Sequence, residues 1–344
     1  MSKAEDIITM AHGSGGIAMK ELIGDMFLSS FVNKDLYLGD DATVLSNLEL
    51  NDDERIVMST DSYVINPLFF PGGDIGRLAV CGTVNDVSTS GAKPVAISIS
   101  FIIEEGFAIA DLKKICESIA KTSVEADVPI VTGDTKVVDK GKCDGLFINT
   151  TGVGIVSAEK SLSGKNIKDG DVVLVSGSIG DHGISIMSTR KGLNFDADIN
   201  SDSAPLNKLV QDTLKAAPDI RCFRDPTRGG VASTLNEFAE QSNVDITINE
   251  VEVPVKKAVK SACEILGYDV FHVANEGKMI AIVSPDQADD ALSAMRASKY
   301  GKEAAIIGYV DKCAGDSPKV YIQTEFKTKR ILDMLVGEQL PRIC

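Results

Sequence analysis

The 344-residue sequence predicts an α/β (α+β) fold of two domains, in which helices and strands alternate along the whole chain. The length suits two domains of about 150 residues each. Apolar residues make up 44% and charged residues 25%, as in globular proteins. A polar, glycine-punctuated stretch at 161–170 separates two halves. We therefore predict domains at 1–160 and 161–336, followed by a tail at 337–344.

The elements of the first half follow from hydrophobic spacing and turn signals. A helix is predicted after the glycine-rich segment 12–16, because apolar residues at 22, 23, 26 and 27 share one face. Two more helices are predicted at 74–90, which Gly91 closes, and around 112–119. Strands are predicted at 55–59, 95–103, 128–131 and 146–156.

The second half opens with a short apolar segment at 171–177, which predicts a buried strand. Helices are predicted at 181–191, 205–215, 229–242 and 255–266, with a last helix from about 327 to 336 that Gly337 ends. Strands are predicted at 245–249, 278–284, 304–310 and 318–323. The tail that follows has no periodicity, and we expect it to be disordered by default.

Charge and composition exclude several classes of protein. The sequence has 35 Lys and Arg against 50 Asp and Glu, a net charge of −15, which argues against a nucleic-acid partner. No apolar run approaches the roughly 20 residues of a membrane helix. The acidic N-terminus lacks the pattern of a signal peptide, so we expect a cytoplasmic protein without a membrane partner.

The seven cysteines are scattered and never form a Cys-x-x-Cys pair, which argues against a disulfide framework or a zinc cluster. Six of them are interpreted as buried small hydrophobic residues. Cys344 is different because it is the last residue of the chain. A thiol at the end of a tail is a candidate reactive group.

Acidic residues recur singly beside small residues at strand ends and turns, at Asp41, Asp61, Asp86, Asp134 and Asp225. Mg²⁺ takes oxygen ligands and suits carboxylates on several loops that converge in space. Aspartate is also common at helix N-caps and turns, and for any single one of the five this explanation is the simpler. The five together favour a cation site.

Three further motifs point to phosphate or proton chemistry. The loop 12–16 precedes a helix and offers main-chain N–H groups to an anion, although it lacks the pattern of a P-loop. Lys136 follows the turn at 133–135 and could meet phosphate oxygens or move a proton, or be a surface lysine. Glu276 enters an apolar strand, which is costly unless the acid is paired or functional; the alternative is an exposed turn.

The motifs together resemble the HypE family, the carbamoyl dehydratase of [NiFe]-hydrogenase maturation. The segments that carry the resemblance are 11–16, 39–42, 59–62, 81–86, 133–136, 225–230, 275–277 and 341–344. The terminal Pro-Arg-Ile-Cys is the most specific, since relatives in the same ATP-binding superfamily lack it. The resemblance implies a two-domain fold like aminoimidazole ribonucleotide synthetase, with N-terminal domains that pair in a homodimer.

The resemblance also implies cofactors and the residues that bind them. The cofactors are ATP and Mg²⁺, with the metal held by Asp41, Asp61, Asp86 and Asp225. The expected nucleotide-binding residues are Gly13, Ser14, Gly15, Gly16, Thr60, Asn85, Gly133, Asp134 and Thr135.

A mechanism follows from the resemblance. The carbamoyltransferase HypF would load a carbamoyl group onto Cys344, giving a thiocarbamate. ATP would phosphorylate the amide oxygen so that phosphate can leave, while Glu276 and Lys136 relay the protons of the nitrogen. The resulting thiocyanate would pass its cyanide to iron on a HypC–HypD complex.

Two other functions stay open on the residues alone. A phosphotransferase of the same superfamily would use the same aspartates on a diffusible substrate and would not need Cys344. A scaffold that only displays its tail to partners would not hydrolyse ATP.

Overall fold

The computed structural model describes residues 16–22, 43–49, 51–192, 199–337, 340 and 342–344. These residues form a five-stranded sheet, a seven-stranded sheet and a two-stranded ribbon, with helices packed on both large sheets. The first sheet ends at Ser157 and the second begins at Val172. The domain boundary at residue 160 stays a prediction. Within the described ranges, no helix is both long and apolar enough to cross a bilayer.

Seven strands are formed by the described residues of the N-terminal half. They are β1 (Thr43–Glu49), β2 (Glu54–Tyr63), β3 (Phe69–Phe70), β4 (Gly73–Asp74), β5 (Lys93–Glu104), β6 (Ile130–Val138) and β7 (Leu146–Ser157). The large sheet has the order β1-β2-β7-β5-β6, and only β5 and β6 pair in parallel. Strands β3 and β4 form the ribbon, which leads the chain from the sheet into its first long helix.

The helices of this half are α1 (Ile17–Leu22), α2 (Ile75–Thr89) and α3 (Ile109–Ala126). Asp74 caps α2, since its carboxylate accepts the N–H groups of Gly76 and Arg77 at 2.7 and 3.0 Å. Helix α2 lies directly on β7, because a Cβ at Gly152 or Gly154 would fall within 3 Å of side chains of the helix. This close packing fixes where α2 presents its residues.

In the C-terminal half, the residues that the structure describes form five α-helices and seven strands. The helices are α4 (Asp181–Lys191), α5 (Asn207–Ala216), α6 (Gly230–Ser242), α7 (Lys257–Leu266) and α8 (Ala288–Ala297). The strands are β8 (Val172–Val175), β9 (Ile220–Arg224), β10 (Val244–Asn249), β11 (Ile280–Val283), β12 (Ala305–Lys312), β13 (Val320–Gln323) and β14 (Lys329–Ile331).

The seven-stranded sheet has the order β14-β13-β10-β12-β8-β11-β9 and is buried on both faces at its centre. Val173 and Val175 join a core that contains residues of α6, whereas Leu174 between them joins a core that contains residues of α5 and α8. Successive side chains of a strand point to opposite faces, so one short apolar strand serves both cores. This explains why the segment reads as continuously apolar.

The helix predicted at about 327–336 is wrong. Residues 329–331 form β14, an antiparallel partner of β13. Lys327 has a φ of 60°, and the N–H of Thr324 donates to the carbonyl of Thr328, so the chain reverses here in a hairpin. The sequence analysis also did not predict β1, β9 and α8.

The structure also differs from the expectation of an unpacked tail. Ile343 is only 3% exposed and belongs to the hydrophobic core of the N-terminal domain, with Leu340 and Cys344 packed against that core. An apolar side chain in a tail can be buried when its main chain finds hydrogen-bond partners, and those partners are described below.

Candidate active site

Polar side chains from both domains meet the C-terminal cysteine at the junction of the domains. Asp61 and Asp86 come from β2 and α2, and three other residues come from the C-terminal domain and precede α6 or β11, namely Asp225, Arg228 and Glu276. The thiol of Cys344 is subject to the charges of four of them, namely Asp61, Asp225, Arg228 and Glu276.

Asp61 and Asp86 are the acidic groups that the N-terminal domain contributes to this cluster. The carboxylate of Asp61 accepts the main-chain N–H of Ser62 at 2.8 Å, and Asp86 accepts the hydroxyl of Ser59 at 3.0 Å. Burial raises the pKa of Asp61, an effect that the charge of Arg228 opposes. A cation beside Asp61 would therefore be favourable.

Glu276 is almost fully buried, at 2% exposed, and among the described residues its Oε1 has no hydrogen-bond partner. Burial raises its pKa well above the ordinary value, and the charges of Asp225 and Asp61 raise it further. Arg228 has the opposite effect. When it is ionised, Glu276 is therefore a strong base with one oxygen ready to accept a proton.

Arg228 is the cation of the cluster. Burial lowers its pKa, but the neighbouring Cys344, Asp61 and Glu276 raise it above the ordinary value, so the guanidinium stays charged. It sits in a turn that ends at Gly230, where a Cβ would lie 2.6 Å from the carbonyl oxygen of Phe271 and φ is +62°. Only glycine suits that position, which fixes the turn and its arginine.

Cys344 is half-buried against the core of the N-terminal domain. Burial raises the pKa of its thiol to about 12, Glu276 acts in the same direction, and Arg228 opposes it. The docked thiol is therefore protonated at neutral pH and is a poor nucleophile.

The main chain of Glu276 is held by both domains. Asn85 of α2 donates to its carbonyl at 3.3 Å, and its N–H donates to the carboxylate of Asp202 at 3.0 Å. Asp202 is itself paired with Lys278 at 3.0 Å, a buried ion pair. The next residue must be Gly277, because a Cβ there would lie 1.7 Å from the carbonyl oxygen of Asp202.

The predicted Mg²⁺ site requires acidic side chains that lie close together. Within the described part of the chain, no three His, Cys, Asp or Glu side chains are arranged to hold a metal by themselves. Mg²⁺ usually takes only one or two carboxylates and completes its shell with water and phosphate. Asp61 and Asp86 both raise the pKa of the buried Tyr63, so they share one polar region and fit such a role. Asp41 lies outside the described residues.

Several predicted residues lie on the other face of the five-stranded sheet. Lys136 and Asp134 form an exposed ion pair of 3.0 Å on β6, and Lys136 is in register with Ile102 of β5. Paired residues share a face, and this face is opposite to that of Asp61. Thr60 lies on the same face as Lys136 and donates to the carbonyl of Thr150. Within one chain, Lys136 is therefore not beside Glu276.

The remaining predicted nucleotide-binding residues lie in different parts of the chain. Gly133 and Thr135 lie on the exposed edge strand β6. Gly13, Ser14 and Gly15 lie outside the described residues, whereas Gly16 is buried. A Cβ at Gly16 would lie 2.4 Å from the carbonyl oxygen of Leu335, so this glycine permits a close approach of the segment that leads to the tail.

Sequence reasoning assigned no role to Arg228, Asp202 or Lys278. A role for Arg228 could have been predicted, because it lies in the motif 225–230, which also contains a predicted metal ligand. Asp202 and Lys278 carry no motif, and only the fold shows that they pair beneath Glu276.

The chain is similar to known proteins over both of its domains. The family models "AIR synthase related protein, N-terminal domain" and "AIR synthase related protein, C-terminal domain" match residues 39–156 and 168–320. The chain is thus an AIR synthase-related protein of two domains, and the predicted α/β fold is confirmed.

A narrower family emerges from full-length relatives. "Carbamoyl dehydratase HypE" of Azotobacter vinelandii is 53% identical over 337 residues, 98% of this chain and 97% of the relative. The crystal structure of a HypE–HypF complex matches with a TM-score of 0.85 and 50% identity, covering 91% of this chain and 99% of the other. A hydrogenase maturation protein HypE in complex with ATP matches with a TM-score of 0.81 and 47% identity, covering 98% and 100%. The chain belongs to the HypE family of carbamoyl dehydratases, as its motifs indicated.

Proposed function

We propose that this protein dehydrates a carbamoyl group carried on its own Cys344 at the expense of ATP, and so supplies cyanide for the iron of [NiFe]-hydrogenase. The observation that carries the proposal is the position of the C-terminal thiol among Glu276, Arg228 and Asp61. A thiocarbamate on that thiol would place its amide directly in the polar cluster. A scaffold would not need such a site, and a phosphotransferase would not need the cysteine there.

The reaction converts S–C(=O)–NH₂ into S–C≡N. The carbon loses its bond to oxygen and gains two bonds to nitrogen, and the nitrogen loses both protons. Because oxide cannot leave, ATP supplies a phosphoryl group to the oxygen, and the products are thiocyanate, ADP and phosphate. The protein must therefore accept protons from nitrogen and stabilise negative charge on oxygen.

Glu276 is the proposed base. Its unpartnered Oε1 is free within the described residues to face the substrate amide, and the raised pKa makes the ionised carboxylate strongly basic. Arg228 favours that ionised form and would also stabilise charge that develops on the leaving oxygen. The two side chains thus have complementary tasks at opposite ends of the amide.

Asp61 and Asp86, with Asp225, would hold Mg²⁺, which neutralises phosphate charge when it is bound. The glycine-rich residues 13–16 remain the proposed phosphate contacts, with Gly133 and Thr135 as further nucleotide contacts. Thr60 and Asp134 lie on the opposite face of the sheet, so nucleotide contacts from these two residues depend on pairing. Asn85 fits a different role better, because its amide is already bonded to main-chain atoms of the C-terminal domain. An ATP-bound relative supports a nucleotide site in this fold.

The proposed homodimer uses the exposed face of the five-stranded sheet, which carries Met58 at 45% and Ile102 at 41% exposure. Apolar side chains on an open sheet face are a typical surface for pairing. Lys136 lies on this face, so a role for it in relaying protons depends on pairing.

The tail must also reach partners. Eight residues from Gly337 to Cys344 span at most about 28 Å, at about 3.5 Å per residue. That reach allows the thiol to leave the site, where its high pKa makes it unreactive, and to meet the carbamoyltransferase HypF. The solved complex of a relative with HypF supports this partner. Transfer of cyanide to a HypC–HypD complex is the proposed next step.

Mass spectrometry of the C-terminal peptide tests the proposal. Wild-type protein incubated with HypF, a carbamoyl donor and ATP should first gain one carbamoyl group at Cys344 and then lose one water. Cys344→Ala should gain nothing while keeping its fold, because its half-buried side chain contributes little packing. Cys116→Ala removes an exposed thiol instead and should behave as wild type. Carbamoyl on another cysteine, or no loss of water with ATP, would contradict the proposal.

A further inference from the structure

A buried histidine holds the main chain of the tail next to the reactive cysteine. The Nε2 atom of His182, on α4, lies 2.7 Å from the carbonyl oxygen of Ile343. A carbonyl can only accept, so Nε2 carries the hydrogen. Burial lowers the pKa of His182, so the ring is neutral and its other nitrogen must be an acceptor.

The surroundings of the ring fix this tautomer. The hydroxyl of Ser201 lies 2.8 Å from Nδ1 and donates to it, while Ser201 accepts the N–H of Ser203 at 3.2 Å. The ring of Phe70 packs edge-on against His182, with centroids 5.6 Å apart. The position and orientation of the His182 ring are therefore fixed by residues outside the tail.

The other polar contacts of the tail are made by Arg342 and Cys344, the residues on either side of Ile343. Val64 accepts the Nε–H of Arg342 at 3.1 Å and donates to the carbonyl of Cys344 at 3.2 Å. Ile343 fills an apolar site between them. Arg342 has a φ of 49°, so the main chain turns immediately before Ile343, and loss of the bond at Ile343 would let the thiol move away from Glu276.

We infer that His182 is a positioning residue that holds the tail at the carbonyl of Ile343, so that the group on Cys344 enters the cluster of Glu276, Arg228 and Asp61. The bond to the Ile343 carbonyl is the fixed point, and the thiol is one residue beyond it. The consequence for dehydration rests on the proposed function. The effect of His182 on the position of the thiol does not depend on that function.

The test compares His182→Gln with His182→Asn. Glutamine places an amide N–H near the position of Nε2, whereas asparagine is shorter and reaches only as far as Nδ1, so the pair differs in the one bond of interest. The readout is the rate at which iodoacetamide alkylates Cys344 in unloaded protein, measured on the C-terminal peptide. Cys116, which is exposed, serves as the internal reference for reagent and pH.

We expect His182→Asn to raise the alkylation rate of Cys344 by about two- to tenfold, the factor that one net hydrogen bond provides, and His182→Gln to stay close to wild type. Gln211→Ala is the control, because its side-chain amide donates to the main-chain carbonyls of Gly91 and Ala92 and does not contact the tail. It should leave the rate unchanged. Equal rates for wild type, the asparagine variant and the glutamine variant would overturn the inference.

A second measurement uses protein already carbamoylated by HypF. With ATP, His182→Asn should dehydrate several-fold more slowly than His182→Gln, while loading by HypF should not fall, because loading requires the tail to leave the site. A purely structural defect would lower both steps. If alkylation changes as expected but wild type never forms thiocyanate, the proposed function fails and the assignment of His182 stands.

Discussion

The side-chain amide of Asn85 donates to the main-chain carbonyl of Glu276 across the domain junction, at a distance of 3.3 Å. The same amide nitrogen donates to the carbonyl of Ala204 at 3.0 Å, and its oxygen accepts the N–H of Leu206 at 2.8 Å. One buried residue of α2 thus ties the proposed base to the domain that carries Asp86. The geometry of the site depends on the domains staying in this arrangement.

Asn85→Ala should therefore affect both stability and dehydration. Loss of these bonds leaves buried main-chain groups unsatisfied and should lower the free energy of unfolding by about 1–3 kcal/mol. Dehydration of loaded protein should also slow, because Glu276 loses one support. Asn207→Ala is the control, since that amide crosses the junction to the carbonyl of Ala126 but does not touch Glu276. Urea unfolding and product mass measure the two effects. Full dehydration activity in a destabilised Asn85 variant would refute the link.

Local sequence signals predicted most elements but failed where tertiary contacts decide. The helices at 181–191 and 229–242 were predicted within about two residues, because spacing, small residues and glycine ends agree there. Helix α8 was missed since its buried face contains two alanines, which give little hydrophobic contrast. Strand β14 was mistaken for a helix, because its hairpin pairing with β13 involves no local signal.

The candidate site shows the same division. Short motifs identified Asp61, Glu276 and Cys344, which the structure brings together. Sequence could not show that Lys136 lies on the opposite face of the sheet, because face depends on register with β5. It also could not show the role of His182, since a lone histidine in a helix has no signature of the carbonyl it bonds.

The metal prediction leads to a test at Asp86. Asp86→Asn keeps an oxygen that can accept from Ser59 but removes the charge that would attract Mg²⁺. The fold should be retained, and Mg²⁺-dependent ATP turnover should fall at least about tenfold. Asp111→Asn, an exposed residue paired with Lys114, is the control for loss of one negative charge. If turnover and nucleotide affinity match wild type, Asp86 serves only to accept the hydroxyl of Ser59.

Arg228 should govern the pH dependence of the reaction. Its charge lowers the pKa values of Glu276 and Asp61, which burial raises. In Arg228→Gln these acids should hold their protons to higher pH, so the acidic limb of the rate profile should move to higher pH. The rate of thiocyanate formation from loaded protein, measured against pH, checks this. The limb of Arg228→Lys should lie between those of wild type and Arg228→Gln. Arg330→Gln removes an exposed ion pair at the surface and should leave the limb in place. An unshifted limb in Arg228→Gln would exclude the coupling.

Glu276 should also affect the pH dependence of stability. Burial raises its folded pKa well above the ordinary 4.5, so above that pH the folded state binds more protons than the unfolded state. Its contribution is fully present below the ordinary value and is lost as pH rises through the folded pKa. Glu276→Gln has no such loss. The free energy of unfolding of the variant relative to wild type should therefore increase from about pH 4.5 upward, by at most about 1.4 kcal/mol per pH unit. Urea melts at several pH values measure it, and a constant difference would mean that the carboxyl is not perturbed.

Glu276→Gln is also the sharpest test of the chemistry. Glutamine keeps the volume of the side chain and its main-chain bonds to Asn85 and Asp202, but it cannot accept a proton as a base. Carbamoylation by HypF should proceed, because the proposed loading takes place away from the buried site. Dehydration should stall, so that with ATP the C-terminal peptide retains the mass of the thiocarbamate.

The control removes a different acid, an exposed one that contacts the tail. Asp144→Asn breaks the exposed contact with Arg342 of the tail and leaves the proton acceptor intact, so its loaded peptide should still lose water. ATP binding to Glu276→Gln, measured separately, should remain close to wild type, which distinguishes a missing base from a missing nucleotide. Thiocyanate formation by Glu276→Gln at the wild-type rate would exclude this carboxylate as the base. The proton would then have to pass to Lys136 of a paired subunit or to water, because among the described acids Glu276 alone combines near-complete burial with an unpartnered oxygen beside Cys344.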